Sequence, residues 1–306
     1  MSEGLVSALD TVAPPTRAAD LWALIKPRIT LTVLLTTAGG LWLAPGATPL
    51  ARVLLVLLGT ALIVGSANAV NMYLERDIDG RVARTKNRPL PSGRLNPTVA
   101  LWFGVFLGLC AIPVLSLGVN PLTAALGLFS FVAYTMVYTP LKQRSPLALT
   151  IGAIPGAMPP LMGWTAARGK LELPGLVLFG ILFLWQLPHF LAITLYRTQE
   201  MSKAGFKVLV AERGSQAAKL RIVLYLAALL PVSLMLFPLG IAGTPYLVAA
   251  TVSGVVFFVH GLYGLRTASP GARLSEARWA RQLFQISLLY VLVLFLALAL
   301  SRLFAG

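Results

Sequence analysis

A single cysteine, Cys110, stands in the 306-residue chain, so neither a disulfide framework nor a thiolate metal site can form within it. Charge is scarce as well. Asp, Glu, Lys and Arg occupy 11% of positions, against about 25% in a soluble domain. Hydrophobic residues make up 57%, and the mean hydropathy is +0.81. A water-exposed globular surface is thereby excluded, and an integral membrane protein is expected. Acids are the scarcest charge, ten against 25 Lys and Arg, which leaves a net +15. The basic residues sit in short loops between apolar runs. Positive-inside topology and attraction to anionic lipid account for them, so no nucleic-acid partner is expected.

Apolar runs long enough to cross about 30 Å of hydrocarbon fall near residues 29–45, 51–73, 98–116, 121–140, 147–166, 174–196, 221–240, 243–264 and 282–303. The expected fold is therefore all-α and polytopic, with about nine transmembrane helices in one domain spanning 1–306. Residues 1–25 are expected to form a flexible N-terminal segment. The first run lacks a small-residue cleavage site and reads as a retained helix rather than a signal peptide. With the N-terminus inside, 21 of the 25 basic residues fall on cytoplasmic segments. Only Arg52, Arg168, Lys170 and Arg302 fall outside them. The long loops 74–97, 197–220 and 265–281 share that cytoplasmic side, and the chemistry is expected there.

Three of the ten acids, Glu75, Asp77 and Asp79, lie at the end of the second run. On a helix Asn68, Asn71, Glu75 and Asp79 share an arc of about 80°, while Asp77 points the other way. A charged helix cap would explain the acids but not Asn68 and Asn71 inside the apolar run, where polar groups are costly and face the bundle interior. Gly65, Ser66, Ala67 and Ala69 allow a neighbour to come close there. Oxygen donors on one face suit a hard cation such as Mg²⁺. The basic residues that follow, Arg81, Arg84, Lys86 and Arg88, suit phosphate oxygens. Together they describe a site for a magnesium-bound diphosphate at a membrane surface.

Two further groups stand out. Tyr134, Tyr138 and Lys142 share a face at the same end of the fourth run. An aromatic belt with a snorkelling lysine is the plain explanation. At the depth of the carboxylates, Tyr138 and Lys142 are also candidate diphosphate contacts. In the sixth run, Trp185-Gln186-Leu187-Pro188-His189-Phe190 places Gln186 and His189 three apart on one face, with Pro188 freeing backbone groups nearby. A neutral imidazole is a usual axial ligand of haem iron, although a hydrogen-bonded core histidine fits equally. His260 has no polar companion in its run.

The chain resembles the UbiA superfamily of intramembrane prenyltransferases. The resemblance is carried by Asn71 with acids at Glu75 and Asp79, by Arg84-Thr85-Lys86-Asn87-Arg88-Pro89-Leu90, and by Tyr138 with Lys142. Lys26-Pro27-Arg28, Gly156-Ala157-Met158-Pro159-Pro160-Leu161-Met162-Gly163-Trp164 and the His189 segment are similar to its haem-farnesylating members. The resemblance implies a UbiA-like helical bundle in the bacterial inner membrane. It also implies Mg²⁺-dependent transfer of farnesyl from farnesyl diphosphate to a vinyl group of haem B, with water supplying a hydroxyl to give haem O. In that reading Asn71, Glu75 and Asp79 hold metal, and Arg84, Lys86, Arg88, Tyr138 and Lys142 bind diphosphate. His189 and Gln186 meet haem, and haem A synthase or terminal oxidase assembly takes the product. One departure is Glu200, which stands where an Asp-Tyr pair is usual, so that a second metal is absent or rests on Glu200 alone. Prenyl transfer to a quinone-precursor aromatic acceptor, or haem binding and transport without catalysis, remain the alternatives.

Overall fold

The computed structural model describes residues 17–82, 85–267 and 275–304, and no strand occurs among them. Helix α1 (Arg17–Leu24) turns into α2 (Pro27–Leu43), and α3 (Leu50–Leu74) is followed by the single turn α4 (Arg76–Asp79) and then α5 (Pro97–Gly118). Helix α6 (Pro121–Val132) runs through a π-helical turn (Ala133–Tyr138) into α7 (Thr139–Leu141). The bundle is completed by α8 (Ala148–Arg168), α9 (Leu173–Lys203), α10 (Leu209–Leu234), α11 (Thr244–Gly264) and α12 (Glu276–Phe304).

Prolines start many of these helices rather than break them. Pro97 and Pro121 follow Asn96 and Asn120, whose side chains accept from the backbone N–H groups of Thr98 and Thr123, both at 2.8 Å. The missing proline N–H would have no intrahelical partner at that position anyway.

Among the described residues, seven helices are each long and apolar enough to cross a membrane. The bent pair α1–α2, kinked by 49°, brings the number to eight. The remaining expected run, 147–166, is α8, a helix of 21 residues carrying Pro155, Pro159 and Pro160. Its lower hydropathy matches its position, since residues 157–166 are buried without interruption. Helix α8 packs against α2, α6 and α9, while α9 also lies along α10 and α12. A side chain at Gly163 would force α2 and α8 apart, because its Cβ would meet the Thr37 carbonyl of α2. Gly40 stands in the same relation to the Pro160 carbonyl. This small-residue contact lets two backbones touch, as intramembrane interfaces require.

Hydropathy misjudged the lengths of the loops. Residues 209–220, expected in a loop, are helical on both sides of a break at Gly214 (φ 79°) and open α10, where Glu212, Arg213 and Lys219 hide the helix from an apolar count. Lys219 is fully buried and pairs with Glu276 of α12 at 2.6 Å. Of the segment 1–25 expected to be flexible, residues 1–16 lie outside the described residues, and the rest is ordered against the bundle. Residues 17–24 form α1, Leu24 is fully buried, and Asp20 is buried in a 3.2 Å pair with Arg94. That pair and the buried Leu90 and Leu95 fold the segment after α4 back onto the bundle.

Candidate active site

The end of α3 carries the acids. Glu75 leaves helical geometry, with φ −95° and ψ 3°, so α3 stops and α4 restarts one residue later. The phase survives this break because Glu75 N–H still donates to Asn71 O at 2.9 Å and Asp79 N–H to Glu75 O at 2.8 Å. Asn68, Asn71, Glu75 and Asp79 are all buried, whereas the Asp77 side chain is 78% exposed beside Arg76. The division read from helical spacing is thus the division in the fold.

Each buried carboxylate meets a cation from another segment. Lys142, just past α7, places Nζ 2.7 Å from Glu75 Oε1. Arg88 donates Nη1–H to Asp79 Oδ2 at 2.6 Å. Asn71 is held from two sides: its Oδ1 accepts from Lys26 Nζ at 2.8 Å, and its Nδ2 donates to Thr139 Oγ1 at 3.0 Å. Thr139 in turn donates to the Tyr134 carbonyl at 2.8 Å, across the π turn. Such a turn inserts one residue into a helix and often marks functional sites. Lys142 also lies over the Tyr138 ring, 4.4 Å from its centroid. Burial alone would lower the Lys142 ammonium, but Tyr138 and Glu75 beside it hold it above the ordinary lysine range.

Two of these partners, Lys26 and Thr139, escaped the sequence reading as site residues. Lys26 is the one non-glycine residue with positive φ (49°) among the described residues, at the bend between α1 and α2. The bend leaves the Ile25 carbonyl free to accept from Thr30 Oγ1 at 2.7 Å and Asn68 Nδ2 at 3.2 Å. The Lys-Pro pair between two apolar stretches was the available signal. Thr85 is a further unlooked-for support, donating Oγ1–H to the Asp79 carbonyl at 2.8 Å.

The other expected residues divide. Lys86 is exposed on the loop that carries Arg88, and Arg84 lies outside the described residues. Glu200 is exposed and pairs with Arg197 at 3.8 Å. Among the described residues no three His, Cys, Asp or Glu side chains converge on a metal position. The α9–α10 loop nevertheless reaches this end of the bundle, because Lys207 N–H donates to the Lys142 carbonyl at 2.9 Å.

His189 and Gln186 lie deeper along α9 and address different neighbours. His189 Nδ1 is 2.7 Å from Ser287 Oγ of α12, and its ring packs among Trp185, Phe190 and Phe284. Gln186 instead fills the space that a Cβ on Gly156 of α8 would need, and its Nε2 donates to the Leu182 carbonyl at 3.0 Å. About 60° apart on the same helix, the two side chains thus meet different neighbours.

Known proteins resemble this chain in both sequence and fold. The family model described as "UbiA prenyltransferase family" matches residues 33–289. A protein of Myxococcus xanthus named protoheme IX farnesyltransferase is 50% identical over 288 residues, covering 94% of this chain and 96% of that protein. Its namesake from Anaeromyxobacter dehalogenans is 49% identical over 92% and 94% of the two chains. Among solved structures, one described under digeranylgeranylglyceryl phosphate synthase superposes with a TM-score of 0.80 at 18% identity, over 93% of this chain and 98% of that one. A UbiA homologue from Archaeoglobus fulgidus bound to DMAPP and Mg²⁺ superposes with a TM-score of 0.64 at 15% identity, over 92% and 99%. Intramembrane helical fold, matched motifs and half-identical relatives agree that the chain belongs to the UbiA prenyltransferase family.

Proposed function

We propose that this chain transfers the farnesyl group of farnesyl diphosphate to a vinyl group of haem B, releasing diphosphate and giving haem O. The observation that carries the reading is the pair of buried carboxylates, Glu75 and Asp79, each already facing a cation at one end of a bundle whose relatives are protoheme IX farnesyltransferases. Two carboxylates and an amide oxygen make an incomplete cage, which suits Mg²⁺. That ion keeps several waters and completes its shell with substrate phosphates rather than with protein alone. Asn71, Glu75 and Asp79 are the residues that would hold it. Bound there, Mg²⁺ supplies Lewis-acid stabilisation of the departing diphosphate.

The chain's own cations do the rest. Lys142 and Arg88 rest on Glu75 and Asp79, and both are placed to turn onto phosphate oxygens when those carboxylates are engaged. Arg84 and Lys86 on the same loop add charge, and Tyr138 steadies Lys142 from below. As the allylic C–O bond breaks, negative charge grows on the leaving oxygen, and these groups are already oriented to meet it. The vinyl carbon of haem attacks the allylic cation, water adds to the cation that results, and a proton is released to solvent. The apolar wall around His189 keeps other water from the allylic cation. His189 orients haem through its iron, and Gln186, one turn away on α9 against Gly156 of α8, is the second haem-facing candidate.

The protein is integral to the membrane. We place it in the bacterial inner membrane with this end facing the cytoplasm, because the sequence assigns 21 of 25 basic residues to the segments expected on that side. Haem A synthase or terminal oxidase assembly would consume the product. The reading is tested by offering membranes that contain the protein both haem B and a phenolic acid, with labelled farnesyl diphosphate and Mg²⁺. Label in the haem fraction is expected. Label in the phenol alone would keep the diphosphate site and reassign the acceptor to a quinone precursor. Haem binding without label in either fraction would leave a binding or transport protein.

A further inference from the structure

Ser287 lies on α12, outside the motifs quoted above, yet α9 directs two ring nitrogens at it from adjacent turns. Trp185 Nε1–H donates to the Ser287 carbonyl at 2.7 Å, and His189 Nδ1 meets the Ser287 hydroxyl at 2.7 Å. The direction of the second bond follows from the serine's own partner. Ser287 Oγ–H donates to the Phe284 carbonyl at 2.6 Å, and a carbonyl can only accept. With that one proton directed at the Phe284 carbonyl, the oxygen is left to accept, which places the proton between the two side chains on Nδ1. The opposite tautomer would need the hydroxyl to turn away from Phe284.

In the neutral ring this leaves the lone pair on Nε2, which has no hydrogen-bond partner among the described residues. Ser287 is fully buried. The neighbouring rings of Trp185 and Phe284, at 5.0 and 4.7 Å between centroids, restrain the imidazole plane. Histidine ligands of metals are commonly oriented by a hydrogen bond at the other ring nitrogen, which sets the tautomer and raises ligand basicity.

We propose that Ser287 is a positioning residue for the acceptor substrate, fixing His189 as the Nδ1–H tautomer so that Nε2 is presented to haem iron. This rests on the reading of His189 as the haem-facing residue and adds the group that makes it competent. The recognised chemistry is an iron porphyrin with an open axial position.

The test uses the full-length protein in detergent, loaded with haem B and followed by the iron–histidine stretching band of the ferrous form and by haem titration. In Ser287→Ala the band should move to lower frequency and the haem Kd should rise about tenfold or more, the usual scale for loss of such a partner. Ser287→Thr, which keeps the hydroxyl, should retain the native band. His189→Ala should lose it. A native band and Kd in Ser287→Ala, with the band lost in His189→Ala, would overturn the role of Ser287 alone. A band that survives in His189→Ala would instead overturn the underlying reading of His189. A second measurement needs no substitution at Ser287. The chain has two histidines, so ¹⁵N-histidine NMR of the native protein, with His260→Gln as the assignment control, reports the tautomer directly. A proton on Nδ1 of His189 supports the proposal, and a neutral ring protonated on Nε2 contradicts it.

Discussion

Replacing Lys142 with Met separates the ion pair that the structure shows for its ammonium from the diphosphate role proposed for it. Its Nζ lies 2.7 Å from Glu75 Oε1, with side-chain exposures of 19% for Lys142 and 8% for Glu75. Removing one partner of a fully buried pair costs about 3–5 kcal/mol, mostly because the other charge is left stranded. Lys142 is not fully buried and water can reach the gap, so about 2 kcal/mol is expected here. That corresponds to a fall of several degrees in the thermal midpoint in detergent. The second role concerns turnover. If Lys142 moves onto the leaving diphosphate, its loss should cost about 10²- to 10³-fold in kcat, the scale of one well-placed oxyanion donor. Adding Glu75→Gln to Lys142→Met removes the stranded charge, so the double variant should recover most of the lost stability, which isolates the ion-pair role; turnover is read from Lys142→Met alone. Midpoints from intrinsic fluorescence and farnesyl-transfer rates on the same preparations decide the matter. Native kcat in Lys142→Met would refute the diphosphate role.

Two other expectations follow from different parts of the bundle. Gly163→Val should separate α2 from α8 and lower stability by about 1–3 kcal/mol or more, since the new side chain meets the Thr37 backbone rather than a movable group. A midpoint unchanged from the native protein would show that this contact gives way freely. At the opposite end of the bundle from the carboxylate site, hydrogen bonds from Arg168, Trp164 and Lys170 hold the Glu172 carboxyl at about 2, below its ordinary 4.5. A carboxyl depressed on folding stabilises above its ordinary pKa, and that contribution is lost as pH falls through the folded value. The midpoint difference between native protein and Glu172→Gln should therefore be largest above pH 4.5 and shrink between pH 4.5 and 2. A difference that does not vary with pH over that interval would remove the assignment.

The sequence revealed the carboxylate site because acids are so scarce in it. With ten in the whole chain, Glu75 and Asp79 spaced with Asn71 stood out, and their helical phase survived the break at Glu75 because both i→i+4 backbone bonds persist. What stayed hidden was pairing across distance. Lys26 lies 45 residues from Asn71, and Ser287 lies 98 from His189. A serine inside an apolar run gives no periodic signal, and a lysine before a proline reads first as a helix boundary. The start of α10 was hidden for the opposite reason, because Glu212, Arg213 and Lys219 make a helix look like a loop while Lys219 is fully buried against Glu276. Gln186 and His189 were expected to act together. They diverge because α9 is packed on both sides, by α8 and by α12, and the 60° between them suffices to address both neighbours.

The central claim joins one reaction to one pair of carboxylates, and the mass of extracted haem tests both at once. Membranes containing the native chain, incubated with haem B, farnesyl diphosphate and Mg²⁺, should yield a haem heavier by one hydroxyfarnesyl addition. Membranes containing folded Asp79→Ala should yield only the starting haem. Farnesylated haem at native levels from Asp79→Ala would contradict the assignment of the site. Unmodified haem from the native protein, under conditions where it is folded and binds haem, would contradict the reaction itself.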